Sequence, residues 1–166
     1  AKQMYNVNLK DADWQFKINL NGEICETILE IGILEYIKRN PQICKDWNLK
    51  KGLILKDVDN LNSDFSTEID LLLATPEMIY IFECKSYSGD KTLTKECTIT
   101  TNSRTFDVFK QNALHANIFF KQFKAYLTKQ VIKPPIQLVL FNMSNGRLID
   151  KRNDRYKQLM PVIQIE

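Results

Sequence analysis

The stretch that most constrains how this chain folds is Thr67 to Gly89, TEIDLLLATPEMIYIFECKSYSG. It reads as two apolar strands joined at Thr75-Pro76-Glu77-Met78, where proline presets the φ of the first turn corner. Three charged residues, Asp70, Glu83 and Lys85, stand where buried strands ordinarily carry none. A hairpin symmetric about that turn pairs residue 75 with 78 and therefore 70 with 83. Asp70 and Glu83 become cross-strand neighbours, and Lys85, two residues past Glu83, shares their face. Opposed carboxylates destabilise a hairpin unless positive charge lies between them. A divalent cation with the lysine beside it meets that need. A buried acid–lysine ion pair, or a strand end that has reached solvent, are the structural alternatives.

Length and composition set wide bounds. A chain of 166 residues fits one domain, taken as 1–166 with a core at about 21–142, and long enough to bury a substantial core. Its 23 basic and 20 acidic residues leave a net charge of +3, which permits a polyanionic partner without requiring one. The four cysteines, Cys25, Cys44, Cys84 and Cys97, form no C-x-x-C pair, and His115 is the single histidine, so a structural zinc site is not expected. The irregular spacing suits reduced thiols and a cytoplasmic setting. No apolar run approaches the length of a membrane span, and AKQMYNVNLK lacks a signal-peptide core.

The remaining elements follow from periodicity. Trp14, Phe16 and Ile18 alternate, which predicts a short extended segment. Ile24, Ile28, Ile31, Leu34 and Ile37 then predict a helix over 21–39, capped by Asn21 and stopped at Asn40-Pro41. Its glutamates Glu23, Glu26 and Glu30 can share part of one face, ordinarily a solvated stripe. Leu53-Ile54-Leu55 predicts a strand, and residues 59–66, rich in Asp, Asn and Ser, a loop. TLTKECTITT predicts one exposed strand or two short ones. Phe106 to Gln130 predicts a long helix with Phe109, Ala113, Ala116, Phe120, Phe123 and Leu127 as its core stripe, ended by Lys133-Pro134-Pro135. Ile136–Asn142 predicts a strand covered on both faces, and Pro161-Val-Ile-Gln-Ile a last strand. The order is that of an α/β fold, a mixed sheet with helices packed against it.

The trio suits phosphodiester chemistry. Mg²⁺ or Mn²⁺ takes hard oxygen ligands, so two carboxylates and a backbone carbonyl suffice, and the polar atom of Cys84 left near them is its carbonyl. Such an ion polarises a phosphoryl oxygen and acidifies bound water. Lys85 would orient that water or stabilise charge developing on the phosphate. A carboxylate from the first helix would complete the shell or support a second metal. The acid–x–lysine triplet Glu83-Cys84-Lys85 is short, so its apolar context carries the weight.

Several motifs in order resemble the NERD (nuclease-related) domain family of the PD-(D/E)xK nuclease superfamily. They are Gly22-Glu23 opening a helix, Glu68-Ile69-Asp70-Leu71-Leu72-Leu73, Ile81-Phe82-Glu83-Cys84-Lys85 followed by Gly89, and Gln111-Asn112 within QNALH. The resemblance implies a restriction-endonuclease-like sheet of four or five strands flanked by helices. It implies metal ligation by Asp70 and Glu83, with the Cys84 carbonyl and Glu23 joining them, and Lys85 as the catalytic lysine. Glu26 stands second to Glu23, because the family's glutamate directly follows the glycine. Gln111 would contact substrate or bound water. His115 falls where related nucleases often carry a tyrosine, and a neutral histidine without a catalytic part is the expectation there. The implied partner is nucleic acid, DNA ahead of RNA. A non-cleaving binding module of the same fold is the second reading, against which the retained Lys85 argues.

Overall fold

A computed structural model describes residues 14–56, 66–102, 104–127, 135–143 and 146–165. In chain order the elements are α1 (Trp14–Arg39), β1 (Asn48–Lys56), β2 (Ser66–Ala74), β3 (Ile79–Lys85), β4 (Lys91–Leu93), β5 (Ile99–Thr100), β6 (Thr105–Phe106), α2 (Val108–Leu127), β7 (Ile136–Met143), β8 (Leu148–Asp150), α3 (Asp154–Leu159) and β9 (Val162–Ile165). Five strands form the main sheet in the order β1-β2-β3-β7-β9, and four short ones form a second sheet in the order β6-β5-β4-β8. β1, β2 and β3 are antiparallel, while β7 joins β3, and β9 joins β7, in parallel. This is the expected α/β arrangement, a mixed sheet with a helix on each face.

Alternation along the strands assigns the faces, except at Asp70, across which Ile69 and Leu71 fall on opposite faces. Leu71, Leu73, Phe82, Cys84, Val139 and Phe141 pack with Cys25 and Leu29 of α1. On the other face Ile69, Leu72, Ile79 and Ile81 pack with Ile118 and Phe119 of α2. β7 is thus covered on both sides, as its unbroken apolar run predicts. The second sheet docks through Leu93 and Ile99 onto Val108, Leu140 and Met160. Burying each such aliphatic side chain contributes roughly 1.5–3 kcal/mol.

The hairpin forms in the predicted register. The pairs Leu71–Phe82, Leu72–Ile81, Leu73–Tyr80 and Ala74–Ile79 all obey the symmetry about residues 75–78. Thr75 stabilises the corner. Its N–H donates to the Met78 carbonyl at 2.9 Å, and its Oγ1 accepts from Met78 N–H at 3.0 Å.

Several expectations need correction. Residues 14–20 are helical, not extended, so Asn21 lies inside α1 and caps nothing. Trp14 with Ile18, and Phe16 with Leu20, are also spaced four apart, a period the alternation concealed. Gly22 inside the helix costs about 1 kcal/mol against alanine, which burial of Cys25 and Leu29 offsets. The stop at Asn40 holds, with its amide donating to the Tyr36 carbonyl at 3.0 Å. TLTKECTITT supplies two short strands, but Lys91, Leu93 and Ile99 are buried rather than exposed, because β4 and β5 cover Leu140 and Met160. α2 starts at Val108, after Phe106 has joined β6. Its buried stripe is Val108, Asn112, His115, Ile118 and Phe119, whereas Ala113 and Phe120 are exposed. The predicted stripe followed apolar residues only, and two polar ones hold the inner face. β8 and α3 were not anticipated. The expected loop at 59–65 and the helix stop at 133–134 lie outside the described residues.

Candidate active site

Asp70 marks the point where the pairing of β2 with β1 is interrupted and its pairing with β3 ends. On the β1 side the ladder passes from Lys51–Leu71 to Leu53–Ile69 without pairing Gly52 with Asp70, and Gly52 adopts φ 62°. On the β3 side the ladder ends at Leu71–Phe82. There the Asp70 side chain takes the place of a backbone acceptor, receiving the Cys84 N–H at 2.7 Å. The carboxylate is therefore fixed in the opening between the strands. Cys84 turns its thiol to the other face, where it packs against Cys25 of α1. Cys25 Sγ also donates to the Lys85 carbonyl at 3.4 Å, so α1 is tied directly behind this point.

Glu83 faces α2 and is wholly buried. Its Oε1 accepts from the Lys85 ammonium, and its Oε2 lies 3.4 Å from His115 Nδ1. Neither Glu83 Oε2 nor His115 Nδ1 has a well-aligned hydrogen bond, and both polar atoms of the Asn142 side chain and Oδ1 of Asn112 share that condition. Asn142 stands beside Lys85 in the parallel β3–β7 register, at a site with no exposure to solvent. Asn112 spends its Nδ2 on the Ile81 and Val139 carbonyls at 3.3 and 3.4 Å, which locks α2 to the sheet. Buried polar atoms without partners are rare, and here they surround the Glu83–Lys85 pair.

On the first helix Glu26 is largely enclosed and Glu23 is exposed. The Glu26 side chain is 19% exposed and that of Glu23 is 71% exposed, and Lys51 of β1 holds both at 3.9 and 3.6 Å. Burial, then the charges of Asp70 and Glu23, push the Glu26 carboxyl up to about 7. Burial likewise raises Glu83 to about 7, with Asp70 and Glu26 adding to it and Lys85 opposing. Asp70 is raised by burial against the pull of the Cys84 amide and Lys85. Desolvation would lower Lys85, but Glu83 with Tyr87 and Asp70 holds it above its ordinary range. Burial, and then Lys85, lower His115, which keeps its ring neutral at pH 7.

Gln111 is exposed, one position before the inward Asn112. The structure thus gathers Asp70, Glu83, Lys85 and Glu26, leaves Glu23 and Gln111 at the surface, and adds His115 and Asn142. Asn142 had a signal in the sequence, a polar residue ending the apolar run IQLVLF just as Asp70 and Glu83 interrupt theirs. His115 had one only in its place within the motif, since its burial depends on the rotation of α2.

A mixed sheet flanked by helices, with two acids and a lysine where its strands part, defines a restriction-endonuclease-like domain. The profile of the nuclease-related domain, NERD, matches residues 28–142, more than two thirds of the chain. The chain belongs to the NERD family. The match begins after both Glu23 and Glu26, so it does not choose between them. No curated protein and no solved structure matches the chain.

Proposed function

We propose that this NERD domain is a metal-dependent nuclease that hydrolyses phosphodiester bonds, with DNA as the favoured substrate. The observation that carries the reading is the meeting of Glu26, Asp70 and Glu83 beside Lys85. The carboxyls are pushed toward protonation by burial, and charge from the neighbouring acids adds to this at Glu26 and Glu83. An all-oxygen acidic set of this kind fits Mg²⁺ or Mn²⁺, whose binding would offset both penalties. Among the described residues no three His, Cys, Asp or Glu side chains are already arranged around one ion. Glu83 must therefore exchange its contact with Lys85 or His115 for the metal. Asp70 and Glu83 are the proposed principal ligands, with the Cys84 carbonyl and Glu26 completing the shell in preference to Glu23. When bound, the ion supplies Lewis acidity and a more acidic water.

The chain's own residues have distinct parts in this reading. Lys85, released as Glu83 turns, places its ammonium on the phosphate and stabilises the charge that grows there. The Cys84 amide holds Asp70 in one orientation, so little reorganisation is needed. His115 stays neutral and packs against the outer oxygen of Glu83, limiting where that carboxylate can move. Gln111, exposed on α2, is placed to meet substrate rather than metal.

Lys85→Ala should abolish metal-dependent cleavage of labelled oligonucleotides, at least 100-fold on the scale of lost transition-state electrostatics, while binding is largely kept. Equal loss of binding and cleavage, or a wild-type protein that cuts no nucleic acid with any divalent ion, would overturn the reading. The second outcome would leave a binding module of the same fold.

A further inference from the structure

Beside Lys85 lies a cleft of about 690 Å³ whose lining shares only Cys84 and Lys85 with the chemistry above. Its floor is the chain from Lys85 to Gly89. Asn21 and Gly22 of α1 form one wall, and Thr101, Asn102, Arg104 and Phe106 of the β5–β6 hairpin form the other. Among the described residues that line it there is no carboxylate, whereas Lys85 and Arg104 are cationic. Ser86, Ser88 and Asn102 add neutral hydrogen-bonding groups. The acids Glu26, Asp70 and Glu83 are not part of this lining. Arg104 is exposed, and among the described residues no hydrogen bond or ion pair engages its guanidinium. The Thr101–Arg104 corner that carries it is closed by Thr101 N–H donating to the Arg104 carbonyl at 2.8 Å. Tyr87 and Phe106 stack at 4.5 Å between centroids and 14° between planes, and both line the cleft.

We infer that this cleft seats a single polynucleotide strand, with Arg104 on a phosphate adjoining the one presented to Lys85. The inference rests on the nuclease reading for the scissile position and adds the form of the substrate. Three features argue for one strand rather than two. The volume is that of a small-ligand pocket, about 300–1,000 Å³, room for a nucleotide or two between facing walls. Its cationic, carboxylate-free lining suits a backbone of phosphates. The Tyr87–Phe106 pair offers an aromatic surface of the kind unpaired bases stack on, which bases held in a duplex do not reach.

The test uses the Lys85→Ala protein, so that substrate survives the measurement, and fluorescence anisotropy with labelled single-stranded DNA, single-stranded RNA of the same sequence, and blunt duplex DNA. Single strands should bind at least 10-fold tighter than duplex, the DNA and RNA arms deciding which sugar is preferred. Adding Arg104→Ala should weaken single-strand binding several-fold. It should also lower the slope of log affinity against log salt by about 0.7, the loss of one phosphate contact on a single strand. Circular dichroism melting should show the fold unchanged, because Arg104 is at the surface. Equal affinity for duplex and single strands, an unaltered salt slope, or no binding to any of the three would overturn the inference. Preferential duplex cutting by the wild type would do the same while leaving the nuclease reading intact. Single-strand binding that depends on Arg104, from a wild type that never cleaves, would sustain the inference and sink the nuclease.

Discussion

Glu26 and Glu23 are three residues apart on α1, yet they differ in what a charge does there. Glu23 is mostly in solvent, and removing its charge should matter little to Asp70. Glu26 is largely enclosed and lies close enough to Asp70 for that charge to raise it. Glu26→Gln is therefore expected to lower cleavage at least 10-fold and to shift the metal dependence to higher Mg²⁺ concentration. Glu23→Gln should change either quantity less than 3-fold. Steady-state cleavage measured across a Mg²⁺ titration separates the two, and the reverse ranking would return the helix carboxylate to Glu23. A sequence reading had reason to prefer Glu23, since it directly follows Gly22 as the family motif asks. The choice lay in the rotation of α1 against the sheet, which Cys25 and Leu29 fix by packing on Leu71 and Phe82. Apolar periodicity alone did not reveal that rotation, because Ile24, Ile28, Ile31 and Leu34 are all substantially exposed.

At the scale of elements, the β2–β3 hairpin was legible because its information is local. Proline at the turn and alternation on both arms determine one register, and a slip by one residue would send every side chain to the other face. The corner is held by Thr75 rather than by proline alone. Its Oγ1 accepts from Met78 N–H and Glu77 N–H and donates to the Met78 carbonyl. Thr75→Val keeps the shape and removes all of these, so it should cost about 1–2 kcal/mol in urea unfolding. Cleavage at low temperature should persist if the register survives. A cost below a few tenths would mean that Pro76 and the strand ladder suffice. α2 was legible as a helix but not as a face. Its inner stripe carries Asn112, whose Nδ2 reaches the distant Ile81 and Val139 carbonyls, and His115, which lies against Glu83. Such distant contacts leave no local mark in the sequence. The short elements β8 and α3 escaped for a similar reason. β8 pairs with the distant β4, and Arg152, buried between Asp150, the Met160 carbonyl and the Phe109 ring, closes that corner.

Across the whole molecule, α1, β2 and β3 bring three acids into one partly dehydrated volume, and the cost appears as a pH dependence. Glu26 and Glu83 have carboxyls raised from 4.5 to about 7 in the folded protein. Between those values the folded state holds protons that the unfolded chain has released, so the unfolding free energy must fall as pH rises. The contribution is intact below about pH 4.5 and lost once pH passes about 7. Asp70, raised in the same sense, adds to the fall. One pKa unit corresponds to about 1.4 kcal/mol, so the loss for each of Glu26 and Glu83 is on the order of 3 kcal/mol. Urea unfolding in the presence of EDTA, repeated from acid to neutral pH, should show this decline. Glu26→Gln or Glu83→Gln should each flatten it, since the amide releases no proton. Mg²⁺ binds only the deprotonated carboxylates, so its stabilising effect should run the opposite way, small at about pH 5 and larger at about pH 8. A metal-free profile that stays flat or rises between about pH 4.5 and 7 would mean that the acids are not forced together in solution. A Mg²⁺ effect independent of pH, or untouched by Glu83→Gln, would place the ion elsewhere on the surface.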